Sequence, residues 1–257
     1  MSQPLLLPPI TPPAEVVSTL SRQGYAVLDT AGVCHVGNVA LEALNALRPS
    51  WHALPADAHL KDGGHYRRRR HSCFVVGETG VTQVPHRAHW QPLEYNALHG
   101  GMQRWFEPMA PEVVAQPVWR QLLQAVGGAC ALLKPQRSPW YVEAHQFRID
   151  TTDGIGRPTP EGAHRDGVDF VAVFLIDRQD IKGGETRVFE AHGASGIRFT
   201  LTEPWSLLLL DDARVIHEST PIQPLGTGGN REGGMEHNIG SYRDTLVLTY
   251  RATGFQG

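Results

Sequence analysis

Beyond Trp140 the apolar residues fall at every second position, or in short runs closed by turn residues, and no other feature limits the fold as much. Seven segments carry the pattern: YVEAHQFRI, VDFVAVFLID, TRVFEAH, GIRFTLT, WSLLLLD, RVIHEST and DTLVLTYRA. Successive side chains on a strand point to opposite faces, so each segment can bury one face and wet the other. IKGGET, lying between two of them, is a hairpin or tight-loop signal. Short strands at this spacing predict an antiparallel sandwich or barrel, jelly rolls included. The stretch Gly226–Ser241 is glycine-rich and polar, and is predicted to be a long mobile loop before the last strand.

From Pro13 to about Leu133 the apolar spacing is three and four instead, the helical period. AEVVSTLSRQG ends on a glycine suited to stop a helix, VALEALNALRP repeats at helical intervals, and VVAQPVWRQLLQAVGGACALL predicts a helix begun or interrupted at Pro117. DGGHYRRRRHSCFVVGETGVTQVPHRAHW reads as irregular chain with a short strand at Cys73–Val76. The expected architecture is mainly β with packed helices, one domain over 1–257. Residues 1–139 form a helical and irregular support and 140–257 the β core.

Composition narrows the function classes. With 257 residues, 41% hydrophobic and 19% charged, the chain has ordinary globular proportions. A net charge of −3 supplies no global field for nucleic acid or a membrane surface. Cys34, Cys73 and Cys130 are odd in number and far apart, which argues against a disulfide framework and for a reducing compartment. The opening MSQPLLLPPITPPAE has no basic residue before its apolar run, and WSLLLL stops at Asp211, far short of a membrane span. A cytoplasmic protein is expected.

EGAHRDGVDF, if extended, places His164 and Asp166 on one face. Given average composition, a histidine has aspartate two residues on with a chance of roughly one in twenty, so thirteen histidines yield about one such pair by accident. The pair gains weight from the long strand-like run after it and from His217 in DDARVIHESTP, on another predicted strand. Two histidines and a carboxylate leave three positions of an octahedral ion open, the arrangement that suits non-haem Fe(II). A structural zinc would take four ligands, often cysteines, and no cysteine is near. The alternative is an exposed strand edge at His164 and Asp166, with His217 a hydrogen-bonded core histidine.

HRDGVDFVAVFLIDRQDIKGGETRVFE, WSLLLLDDARVIHESTPI and YRDTLVLTYR, in that order, resemble the 2-oxoglutarate/Fe(II) dioxygenase superfamily. More closely, they resemble the branch of isoleucine 4-hydroxylase and related free L-amino-acid hydroxylases. That branch also holds proteins named for biofilm, stress and motility phenotypes. The resemblance covers Trp140–Tyr250, and YRRRRHSCF more loosely. It implies a double-stranded β-helix, the jelly-roll fold, with iron in its mouth. It implies His164, Asp166 and His217 as Fe(II) ligands. It also implies Arg243 as the guanidinium that meets the distal carboxylate of 2-oxoglutarate through two parallel hydrogen bonds. Thr245 shares the strand face of Arg243 and adds a donor; Arg251, at the far end of the strand, is the rival anchor. The implied reaction consumes 2-oxoglutarate and O2, releases succinate and carbon dioxide, and hydroxylates a C–H bond. Asp166 also implies hydroxylation and not halogenation, because the halogenating relatives carry a small residue there. A facial-triad enzyme that does not use 2-oxoglutarate and a non-catalytic, regulatory member of the family are the alternatives.

A small amphoteric substrate, an amino acid above all, needs a cation for its carboxylate and an acceptor for its ammonium. YVEAHQFRID puts Gln146 and Arg148 on one face and His145 and Phe147 on the other. Gln146, Arg148, Asp169 and Arg70 are the candidates for substrate contact, with surface pairing or a strand-end turn as the plain alternative. A nucleic-acid role for YRRRRHSCF would need further basic surface. His86 and His89 in HRAHW, and the other histidines of DAHLKDGGHYRRRRH, are expected at the surface and not as a second metal site. Asp211 and Asp212 are expected as turn residues or as supports for the ligands.

Overall fold

A computed structural model describes residues 5–135, 139–225 and 240–256. The first helical pattern forms α1 (Val16–Gln23), which ends at Gly24 with φ 80°, a left-handed backbone that glycine adopts without a Cβ clash. Strand β1 (Tyr25–Leu28) follows, then α2 (Thr30–Gly37), whose N-cap Asp29 accepts the Gly32 N–H at 2.7 Å. VALEALNALRP yields only α3 (Leu41–Asn45) and a 3-10 turn at Arg48–Ala53. The arginine run, expected to be irregular, lies in an 11-residue strand, β2 (Arg67–Gly77), that turns back into β3 (Gly80–Gln83). Next come α4 (Pro111–Val114) and α5 (Pro117–Leu133), with Pro117 at the first helical position, where its missing N–H costs nothing.

The period-two half forms β4 (Trp140–Asp150), β5 (Phe170–Gln179), β6 (Ile181–Gly183), β7 (Thr186–Glu190) and β8 (Gly196–Phe199). After these come β9 (Leu207–Asp211), β10 (Val215–Ser219), β11 (Ile222–Pro224) and β12 (Tyr242–Arg251). One antiparallel sheet runs β1-β9-β5-β12-β4-β2-β3; a second runs β10-β7-β8, and β6 pairs with β11. This is the mainly β jelly roll with packed helices. Residues 1–139 supply three strands of the large sheet, so the support region and the β core share one sheet. Of the predicted Gly226–Ser241 loop, residues 226–239 lie outside the described residues. Among the described residues no helix is long and apolar enough to cross a membrane.

Alternation decides what each face of the sheet meets. Phe170, Ala172, Phe174 and Ile176 of β5 pack toward Trp119, Leu122 and Leu123 of α5, while Val171 and Leu175 point between the sheets at Val188, Phe199 and Val215. Each fully buried side chain of this size contributes about 1.5–3 kcal/mol. On β12 the same rule sends Leu246, Leu248 and Tyr250 to the helices, and Arg243, Thr245, Val247 and Thr249 into a cavity at the other side. The sandwich interior is therefore apolar at one end and polar at the other.

Candidate metal centre and its cavity

His164 and His217 are joined by a single antiparallel bridge, each N–H donating to the other's carbonyl at 3.0 Å. Directly opposed residues put their side chains on one face, and the two imidazoles stand 4.7 Å apart. Asp166 completes the group. His164 Nε2 lies 3.8 Å from its Oδ1 and His217 Nε2 lies 3.7 Å from its Oδ2. His164 Nδ1–H donates to the Gly162 carbonyl at 2.9 Å, which leaves the Nε2 lone pair directed at the carboxylate. Nδ1 of His217 is buried without a partner among the described residues. Three lone-pair atoms thus converge within 4.8 Å, too far apart to hydrogen-bond and somewhat wider than the separation of about 3 Å that two ligands on one ion adopt. Two neutral nitrogens and one carboxylate on one side fit Fe(II).

Charge supports the grouping. Burial works against a charged His164, but Asp166 and Glu161 outweigh it and push the imidazole up. Burial, reinforced by His164, holds His217 down as a neutral ring, and burial pushes Asp166 up against the pull of His164. Asp212, fully buried, accepts the backbone N–H groups of Asp166, Gly167 and Val168 at 2.9, 2.8 and 3.1 Å. It thus grips the turn that carries Asp166. Gly167 needs to be glycine on two counts: its φ is 73°, and a Cβ would stand 2.4 Å from the Tyr95 ring.

The centre opens on a cavity of about 130 Å³ lined also by Arg243, Thr245, Val168 and Val173. Arg243 is 5% exposed, and among the described residues no carboxylate forms an ion pair with it. Burial, with Arg178 nearby, lowers it to about 10. Arg251 donates to the Gly254 carbonyl and is absent from the lining.

The four expected substrate contacts all lie elsewhere. Gln146 donates to Ser50 Oγ at 2.7 Å and Arg148 pairs with Asp244 at 2.6 Å, both on the helix side of β4. Asp169 pairs with Lys134 at 3.0 Å, and Arg70 pairs with Glu107 at 3.0 Å. None of the four lines the cavity. The other faces of the same strands line it: Arg67 and Arg69 of β2, and Glu143, His145 and Phe147 of β4, joined by His89 from the stretch that reads as irregular and by Gln91 and Arg104 after it.

His71 and His89 correct the expectation that these histidines lie at the surface: they are 0% and 7% exposed. His71 Nε2 and His89 Nδ1 donate to Glu143 Oε2 at 2.9 and 2.6 Å, and His145 Nε2 faces the same oxygen at 3.9 Å. These four side chains also gather ligand atoms within 4.8 Å. Arg69 Nη2, however, donates to His145 Nδ1 at 2.7 Å, so His145 keeps its proton on the nitrogen turned to Glu143. The cluster is a hydrogen-bond network around a carboxylate. Burial pushes all three imidazoles down, as does Arg69 beside them. Burial alone would raise Glu143, but His89 and His71 outweigh it and hold the carboxyl well below its usual range. One arrangement satisfies both directions: an ionised glutamate and neutral imidazoles that donate N–H bonds.

A jelly roll with two imidazoles and a carboxylate at its mouth defines the class of non-haem Fe(II) oxygenases. A family model described as 2OG-Fe dioxygenase matches residues 48–249, and the chain belongs to that family. It is therefore a 2-oxoglutarate-dependent dioxygenase, and the family's cofactors are Fe(II), 2-oxoglutarate and O2. Among solved structures, a bsmA homologue from Methylobium petroleophilum PM1 is 52% identical, with a TM-score of 0.89 over 98% of this chain and 97% of that one. It fits the biofilm- and stress-named branch. IDO from Bacillus thuringiensis shares the fold at 16% identity, with a TM-score of 0.71 over 94% of this chain and 99% of that one. TqaL, an Fe(II)/α-ketoglutarate-dependent dioxygenase, does so at 17% identity, with a TM-score of 0.65 over 93% and 86%. No curated protein matches the chain.

Proposed function

We propose that His164, Asp166 and His217 hold Fe(II), that Arg243 and Thr245 hold the distal carboxylate of 2-oxoglutarate, and that the substrate is a free amino acid or similarly small molecule. The observation that carries this reading is Arg243, a buried guanidinium with no carboxylate partner among the described residues, in the cavity that the three metal-ligating side chains share. When bound, the iron supplies oxidative decarboxylation of 2-oxoglutarate with O2, coupled to hydroxylation of a C–H bond. The chain supplies placement. Asp212 fixes the backbone of Asp166, Gly162 fixes the tautomer of His164, and the two-pronged donor of Arg243 sets where the cosubstrate ends. Val168, Val173 and Val247 keep that wall dry. Free thiols at Cys34, Cys73 and Cys130 support a reducing, cytoplasmic setting.

Anaerobic titration of 2-oxoglutarate into the Fe(II) protein tests the reading. A visible charge-transfer band is expected in the wild type, none in His217→Ala, and one needing far more 2-oxoglutarate in Arg243→Gln. A band indifferent to both substitutions sinks the assignment.

A further inference from the structure

Besides Asp166 and Arg243, five charged side chains among the described residues line the cavity: Arg67 and Arg69 share Asp57 at 2.7 and 3.9 Å, Glu161 faces His164 Nε2 at 3.5 Å, and Arg104 and Glu143 remain. Arg104 is 2% exposed and, among the described residues, has no acidic ion-pair partner. Its Nη2 donates to Gln91 Oε1 at 3.0 Å and its Nε is buried without an acceptor. A buried guanidinium in that state is costly unless an anion arrives. Gln91 Oε1 also accepts from Asn96 Nδ2 at 3.1 Å, which fixes the amide so that Gln91 Nε2 donates to Asp166 Oδ1 at 3.1 Å. Arg104 thus stands two hydrogen bonds from the carboxylate assigned to the metal.

Glu143 is the second. Its Oε2 is occupied by His71 and His89, while among the described residues none donates to Oε1, and the residue lines the same cavity. The two charges are placed together by one element. His89 and Arg104 form an isolated antiparallel bridge, with both N–H···O bonds at 2.9 Å, and the His89 ring is what holds Glu143.

We infer that Arg104 receives the carboxylate of the substrate and Glu143 its ammonium, so the substrate is a zwitterion with both groups free. This excludes an N-acyl amino acid, an amino-acid amide and a dicarboxylate that lacks an amine. The inference rests on the oxygenase reading above and names the recognition residues of that same site.

The test is succinate release by the Fe(II) protein with 2-oxoglutarate and O2, screened over the common L-amino acids, then repeated with the N-acetyl and carboxamide forms of the best one. The free amino acid is expected to raise succinate release about tenfold or more, and neither derivative is expected to do so. In Arg104→Gln the KM for the free amino acid is expected to rise about 30-fold or more, with the preference over its carboxamide lost; Arg104→Lys recovers part of it. In Glu143→Gln the preference over the N-acetyl form is expected to go. Equal turnover of either derivative by the wild type overturns the inference, as does stimulation by none of the amino acids. The wild-type comparison does not depend on how well the variants fold. The 2-oxoglutarate charge-transfer band, measured without substrate, shows separately whether the oxygenase reading stands.

Discussion

Around the metal centre each side chain is held by a different neighbour: His164 by a carbonyl two residues back, Asp166 by Gln91, and the turn beneath it by Asp212. Arg243 differs, because among the described residues its guanidinium has no protein acceptor and its partner has to come from outside. That difference gives a prediction at this scale. Arg243→Gln should raise the KM for 2-oxoglutarate about 30-fold or more, while Arg251→Gln, whose side chain reaches only the Gly254 carbonyl, should leave it unchanged. Steady-state succinate assays over a 2-oxoglutarate series decide it, and the reverse order would move the anchor to the far end of β12. The grouping of His164, Asp166 and His217 was implied by the family resemblance, since their spacing alone left a plain strand edge and a core histidine open. Gln91 and Arg104 were not legible, since nothing periodic marks an irregular segment whose role comes only from what it packs against.

At the scale of elements, β4 carries the lesson. Its two faces were correctly separated by the two-residue period, yet the face with Gln146 and Arg148 meets the helices, and the face with Glu143, His145 and Phe147 meets the cavity. Arg148 is accordingly a structural cation, bound to Asp244 through Nε and Nη2 at 2.8 and 2.6 Å. Arg148→Ala should cost about 3–5 kcal/mol of folding stability, because it leaves Asp244 buried and unpaired, without altering the substrate KM of the protein that remains folded. Urea unfolding and a KM measurement check the two halves; a stable variant with a raised KM would return Arg148 to the site. Strand β2 shows the same limit from the other side. Four successive arginines show none of the apolar–polar alternation that marks a strand, yet pairing with β4 along Arg67–Val76 makes them one. Asp57 neutralises the inward-facing Arg67.

For the whole molecule, buried titratable groups tie stability to pH. Burial, then Arg67, lowers His99 to about 4, so the unfolded chain takes up that proton first on acidification. The stability His99 confers near neutrality is lost between about pH 6.5 and pH 4. Asp244 acts in the opposite sense. Burial, against the pull of Arg148, raises it to about 6, so the folded state is protonated first. Thermal melts of the metal-free protein should therefore fall less steeply with acid in His99→Asn and more steeply in Asp244→Asn, by a few degrees in each case. Unchanged slopes in both would show that these groups titrate alike folded and unfolded.

The strand segments of the second half and the helical support before it were set by local sequence, because a period of two or of three to four is a property of neighbouring residues. Which face of β4 became interior, and which of thirteen histidines became buried, was decided by the tertiary structure. Periodicity states that two faces differ but not what will cover each one. That depends on pairings such as β2 with β4 and His89 with Arg104, which join segments far apart in the chain.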